Sequence, residues 1–336
     1  MKTIFSSRRR HYLARVSIFF ILVALIVGMA GCAPPSEDLE IQTWYDLDAV
    51  RHNLSGNHTL MNDLDATTAG YEELASPTAN QGKGWEPIGD RDNPFTGTFD
   101  GQEYQIDDLF INRPTLNPGI GLFSYVDEGG VIENVGMVNI DVTGLLSVGG
   151  LVGKNIGGNV SNSYSSGNVT GGGIVGGLVG KNEGTVSNSY SSGNVTGHND
   201  YIGGLVGSNF GTVSNSHSTG SVTGTEWVGG LVGKNIGGNV SNSYSTGNVT
   251  GNYCVGGLVG KNEGTVSNSF WDTETSGQGS SDGGTGKLTA EMQDITTFSG
   301  ATWDIVAVAL NETNPTYIWN IVDDETYPFL SWEPVS

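Results

Sequence analysis

The 336-residue chain carries a formal charge of −21 with only 15% charged residues and 53 glycines. Five of its 14 basic residues and none of its acids lie in the first 31 positions, so the remainder holds nine basic against 35 acidic side chains, near −26. That balance argues against nucleic acid, whose phosphates demand Lys and Arg, and suits an extracellular surface. The glycines follow no Gly-X-Y period, which excludes collagen, and the charged fraction is too low for a disordered acidic tail. Gly among Asn, Ser, Thr and Val points instead to short strands joined by tight turns.

Residues 1–15 are basic, and Val16 to Ala30 form an almost unbroken apolar run. A spanning helix needs about 20 residues, so this shorter run fits a signal peptide. It closes with Met29-Ala30-Gly31-Cys32, which resembles a lipobox with Met29 where Leu is usual. The resemblance implies a signal peptide over 1–31, a diacylglycerol on Cys32 and an exported lipoprotein anchored at the cell surface. Residues 32–42, with Ala33-Pro34-Pro35-Ser36, then read as the lipidated cysteine and its tether. The other cysteine, Cys254, has Ser147, Ile174, Tyr201 and Trp227 in its place in the other repeats, a tolerance expected of a surface turn rather than a nucleophile.

Residues 43–140 are expected to hold an N-terminal cap and divergent coils. Thr43-Trp44-Tyr45-Asp46 resembles a capping box, and Trp44, Leu47, Val50 and Leu54 are spaced for a short helix covering the open end of a stack. From Trp85 to Ile111 the pattern predicts short strands around an Asp100-Gly101 turn.

From 141 to 271 the chain repeats. Gly-Gly-Leu-Val-Gly begins at Gly149, Gly176, Gly203, Gly229 and Gly256, in steps of 27, 27, 26 and 27 residues. Four copies continue Lys-Asn, and each leads to a block like Val160-Ser161-Asn162-Ser163-Tyr164. These segments resemble the GLUG motif, found in tandem in large bacterial and archaeal surface proteins and beside some immunoglobulin A peptidases. Flanking segments such as Trp85-Glu86-Pro87-Ile88-Gly89 and Tyr327-Pro328-Phe329-Leu330 resemble those that accompany such repeats. The resemblance implies a surface protein and no single activity.

A unit this small cannot bury its apolar face alone, so neighbours must stack. The expected fold is all-β: a right-handed parallel β-helix, or solenoid, of about 27-residue coils rising about 4.8 Å each, with N- and C-terminal caps. Residues 272–336 should form the C-terminal cap, with a short helix from Thr289. Stacking turns repeated letters into columns. Strict alternation puts Val160, Asn162 and Tyr164 on one face and Ser161, Ser163 and Ser165 on the other, so both the Asn155 series and the Asn162 series are expected to form inward amide ladders. The Tyr164, Tyr190, His217, Tyr244 and Phe270 column is expected to pack rather than to meet sugars. Leu151, Leu178, Leu205, Leu231 and Leu258 need a bulge at Gly-Gly to turn inward beside their valines, and otherwise form an exposed docking stripe.

No catalytic residue, metal ligand or cofactor site emerges from the sequence. His-Glu-x-x-His is absent, and His11, His52, His58, His198 and His217 are scattered. Asp90, Asp92, Asp107 and Asp108 read as solvated acidic loops, with calcium as the sharper alternative. Lys154, Lys181, Lys234 and Lys261 are the candidate ligand-binding residues: a row of cations one coil apart suits an acidic glycan. The plainer reading is a solvated edge eased by Glu183 and Glu263. The expected function is a non-enzymatic cell-surface lipoprotein with an adhesive, ligand-binding or structural role. Its expected partners are the membrane through its anchor and a surface glycan or another surface protein. The rivals are a glycan-active β-helix enzyme, by fold analogy alone, and an accessory subunit of a larger surface complex.

Overall fold

The computed structural model describes residues 38–115 and 119–333, so the signal segment and Cys32 lie outside the described residues. In the repeats the strands pair in parallel, letter upon letter. Val179 lies between Val152 and Val206, Val186 between Val160 and Val213, Tyr190 between Tyr164 and His217, and Val195 between Val169 and Val222. Each coil thereby adds a rung to sheets of nine, twelve, four and six strands, which is a parallel β-helix. The nine-stranded sheet begins before the repeats, with Leu39–Ile41, Asn57–Leu60, Thr98–Asp100 and Val131–Glu133. The divergent region is therefore made of coils with longer connections.

The capping box forms as the sequence implies. Thr43 Oγ1 accepts from the Asp46 amide (3.2 Å), and Asp46 Oδ2 accepts from the Thr43 amide (2.9 Å). The helix Trp44–Ala49 continues as a 3-10 turn, Val50–His52, and buries Trp44, Leu47 and Val50 completely. The Trp44 ring lies 5.8 Å from Tyr71 and 5.9 Å from Trp85, in one core cluster with the coils that follow.

The leucine question resolves as a bulge. The amides of Leu151 and Val152 both donate to the Leu178 carbonyl, at 3.1 Å each, and the same pair recurs one coil on between Leu178, Val179 and Leu205. Two residues face one, so successive side chains both turn inward. All five leucines of the column are fully buried, as are the valines after them. Glycine is required at the bend because a Cβ at Gly149 would meet the Val152 carbonyl oxygen at 2.3 Å.

The amide ladder runs along one column, whereas the other has a single rung among the described residues, Asn162 Nδ2 to Asn134 Oδ1 (3.1 Å). Asn155, Asn182, Asn209 and Asn235 each donate Nδ2 to the Oδ1 of the next coil's Asn, at 2.8–2.9 Å, and all four are fully buried. The Asn162 series was expected to match it but instead forms a corner. Asn162, Asn188, Asn215, Asn242 and Asn268 have φ of +46° to +48°, a left-handed conformation that Asn tolerates better than most residues. That one residue shifts the phase of everything after it. Ser163 and Ser165 and their counterparts point inward and are buried, and Tyr164 points outward. Ser163 Oγ donates to Ser161 O (2.7 Å) and Ser165 Oγ to Gly177 O (2.8 Å), while Ser218 Oγ is buried without a partner among the described residues.

The outward aromatic column is nevertheless packed. Tyr164, Tyr190, His217 and Tyr244 stack within 7° of parallel at 4.8–4.9 Å, the spacing of paired strands. The C-terminal segment covers it. Ser281 and Asp282 first accept the Val259 and Asn262 amides at 2.8 Å each, and Thr285–Lys287 pairs with Phe270–Asp272, closing the end of the stack. The chain then passes through the helices Thr289–Met292 and Ile295–Ser299 and a three-stranded sheet. It lays Trp303 on Phe270 (6.0 Å), Trp319 on Tyr244 and His217 (5.7 and 5.8 Å), and Trp332 on Tyr190 and Tyr164 (5.8 and 6.3 Å). Residues 272–333 thus close the end and also sheathe the side.

Candidate functional site: a lysine and aromatic face

The six-stranded sheet carries the candidate lysines. In register, Lys181 lies between Lys154 and Ser208, and Lys234 between Ser208 and Lys261. The row is therefore two pairs separated by Ser208, which is fully buried. Three of the four ammonium groups meet carboxylates: Lys181 with Glu183 (2.5 Å), Lys234 with Glu263 (3.3 Å) and Lys261 with Asp282 (3.1 Å). Lys154 donates to the Tyr125 hydroxyl at 2.8 Å. The Asp282 hydrogen bond, with its charge, pushes the Lys261 pKa above the usual value for lysine. The expected easing by Glu183 and Glu263 is present, but Glu263 serves the neighbouring coil's Lys234 rather than Lys261.

Aromatic rings share this face, which the sequence reading missed. Lys154 lies 4.8 Å from the Tyr125 ring centre, Lys181 4.8 Å from Phe210, and Lys234 5.3 Å from Trp227 and 5.6 Å from Tyr201. Such cation–π contacts contribute about 0.5–1 kcal/mol at exposed sites. Phe210 is 42% exposed. Tyr201 and Trp227 stack on each other at 5.0 Å and 23°, both half-buried.

The backbone at these rings is unusual. Tyr201 and Trp227 hold φ of +54° and +45°, in the Cys254 column, where Ser147 and Cys254 share the left-handed conformation. A bulky residue there costs about 1–2 kcal/mol. The same chain fills its other left-handed corner with Asn six times, from Asn134 to Asn268. The sequence signal was there: aromatics in consecutive repeats at a position that elsewhere takes Ser, Ile or Cys.

Two of the loop carboxylates are engaged by hydrogen bonds. Asp90 Oδ1 accepts the Asp92 and Asn93 amides at 2.8 Å each, which holds its carboxyl below the usual range. Asp107 Oδ1 accepts from Asn139 Nδ2 at 3.0 Å. Among the described residues no three His, Cys, Asp or Glu side chains gather as metal ligands. Cys254 is exposed.

The fold defines a parallel β-helix of stacked repeats. Its repeats are GLUG motifs: the GLUG family model matches residues 144–170, 171–196, 198–223, 225–250 and 251–270. Halomucin of Haloquadratum walsbyi is 36% identical over 140 residues, 40% of this chain and 2% of that protein. A provisionally named Gly-rich membrane protein of Evansella cellulosilytica is 36% identical over 158 residues, 43% of this chain and 17% of that one. The matched region is thus a small part of the length of these curated relatives. The crystal structure of a provisionally assigned immunoglobulin A1 protease from Bacteroides ovatus superposes with a TM-score of 0.65 at 21% identity, over 89% of this chain and 94% of that one. That likeness is one of fold.

Proposed function

We propose that this protein is a non-enzymatic cell-surface adhesin or scaffold that binds anionic glycan chains along its lysine and aromatic face. The observation that carries the reading is the coincidence, on one side of the solenoid, of a spaced row of lysines with rings they contact, two of them at strained backbone positions. A sugar ring can stack on an aromatic face while its carboxylate or sulfate meets the neighbouring ammonium. The resident carboxylates are 35–47% exposed, and surface ion pairs of this kind are worth only about 0–1 kcal/mol. The surface and membrane names of the two relatives support the setting. The enzyme alternative draws on the fold neighbour's name alone.

The test is binding of heparin and of polyuronate to the wild type and to a variant with Lys154, Lys181, Lys234 and Lys261 all changed to Gln. Affinity should fall at least about tenfold as the Debye length shrinks from about 10 Å at 0.1 M salt to about 3 Å at 1 M. The quadruple variant should fold and not bind. Salt-insensitive binding that survives in the variant contradicts the reading.

Anchoring through a diacylglycerol on Cys32 is part of the same proposal, carried by the Met29-Ala30-Gly31-Cys32 sequence. Cys32→Ser should move the protein from the detergent to the aqueous phase on partitioning. Unchanged partitioning of that variant would exclude the lipid as the anchor.

A further inference from the structure

The aromatic column ends abruptly at its N-terminal side, and a recess opens there. The residues in register beyond Tyr164 are Gly136 and then Gln105, so no further ring follows. A Cβ at Gly136 would fall 2.5 Å from the Tyr164 ring, and only glycine lets the ring lie where it does. Beside it is an open recess of about 220 Å³, lined by Tyr164, Trp332, Glu103, Gln105, Asn134 and Asn162. Sites for drug-sized ligands run to about 300–1,000 Å³, so this one has room for a single ring.

Its walls are already ordered. Asn162 Nδ2 donates to Asn134 Oδ1 at 3.1 Å, and Asn134 Nδ2 donates to Asp100 Oδ1 at 3.0 Å, fixing both amides at the rim. The indole N–H of Trp332 is buried without a hydrogen-bond partner among the described residues. Glu103 is the one charged residue among those lining the recess. No Lys or Arg is among its walls, and Asp63, Asp107 and Glu333 add their fields at Tyr164. Aromatic faces and carboxylates together attract cations and repel anions. The recess therefore differs in sign from the lysine face.

We propose that this recess binds one hexosamine ring bearing a free ammonium group. The ring would stack on Tyr164 and Trp332, its ammonium would meet Glu103, and the amides would take its hydroxyls. The proposal does not depend on the lysine face, and the two fail separately.

The experiment is calorimetric titration of the full chain with glucosamine, N-acetylglucosamine and glucuronate. Glucosamine should bind with a dissociation constant on the order of 1 mM, as suits a ligand of this size. Glucuronate should bind at least about tenfold more weakly. Glu103→Gln, at an exposed residue, should weaken glucosamine about tenfold and leave N-acetylglucosamine nearly unchanged. The quadruple lysine variant should bind glucosamine like the wild type. Glucuronate binding as tight as glucosamine, an unchanged glucosamine affinity in Glu103→Gln, or no saturable heat with glucosamine would each overturn the assignment.

Discussion

Replacing Asn209 by Leu should destabilise the protein by about 3 kcal/mol, whereas Asn215→Gly should be close to neutral. Asn209 is fully buried in the middle of the ladder. It accepts from Asn182 at 2.8 Å and donates to Asn235 Oδ1 at 2.9 Å, Gly211 O at 3.2 Å and Asn239 O at 3.3 Å. Leu fits the space but leaves those acceptors unmet, and each buried unsatisfied group costs about 1–3 kcal/mol. Asn215 occupies the corner at φ +48°, where Gly is unstrained, while Leu there should cost about 1–2 kcal/mol. Urea midpoints of the three variants make the comparison. Equal costs for Asn209→Leu and Asn215→Gly would mean that the two columns do not differ as described.

Trp319→Ala should release the C-terminal sheath while leaving the solenoid folded. Trp319 is fully buried, 5.7–5.8 Å from Tyr244 and His217 and 4.9 Å from Trp303, and truncating such a residue costs about 3–5 kcal/mol. The loss should be local, because in a solenoid each coil is held mainly by its neighbours and segments open separately. Limited proteolysis should therefore cut beyond Lys287 and leave a resistant product containing the repeats. Simultaneous digestion of the repeats would show that the sheath is integral to the stack.

Much of this fold is legible in the letters because the repeats are nearly identical. A 27-residue step with Gly-Gly-Leu-Val-Gly at its head admits few arrangements other than stacked coils, and the Asn155 ladder, the buried leucines and the Thr43 capping box follow from local chemistry. The errors have one physical origin. A left-handed Asn at 162 inverts the alternation after it, and alternation alone does not reveal a residue with positive φ. For the same reason the outward direction of the Tyr164 column was not evident, nor was its cover, since the contact of Trp319 with His217 spans about a hundred residues with no repeat to announce it. At the candidate site the lysines were visible as a column. Their aromatic partners were not, because Phe210, Tyr201 and Trp227 each break the consensus instead of following it.

That departure from consensus makes the double variant Tyr201→Asn with Trp227→Asn the most direct test of the account. Relieving two left-handed bulky residues should return about 2–4 kcal/mol. Losing their stacking and the two Lys234 contacts should cost about 1.5–3.5 kcal/mol. The two terms nearly cancel, so the variant should be about as stable as the wild type, with all four lysines intact. Its affinity for heparin, measured at 0.1 M salt beside the wild type, should nevertheless fall at least about tenfold, because the rings proposed to stack on the sugar are gone. A variant that gains or keeps stability and loses binding is the predicted result, the signature of strain retained for function. A variant that binds heparin as tightly as the wild type would contradict the claim that this face is the binding site.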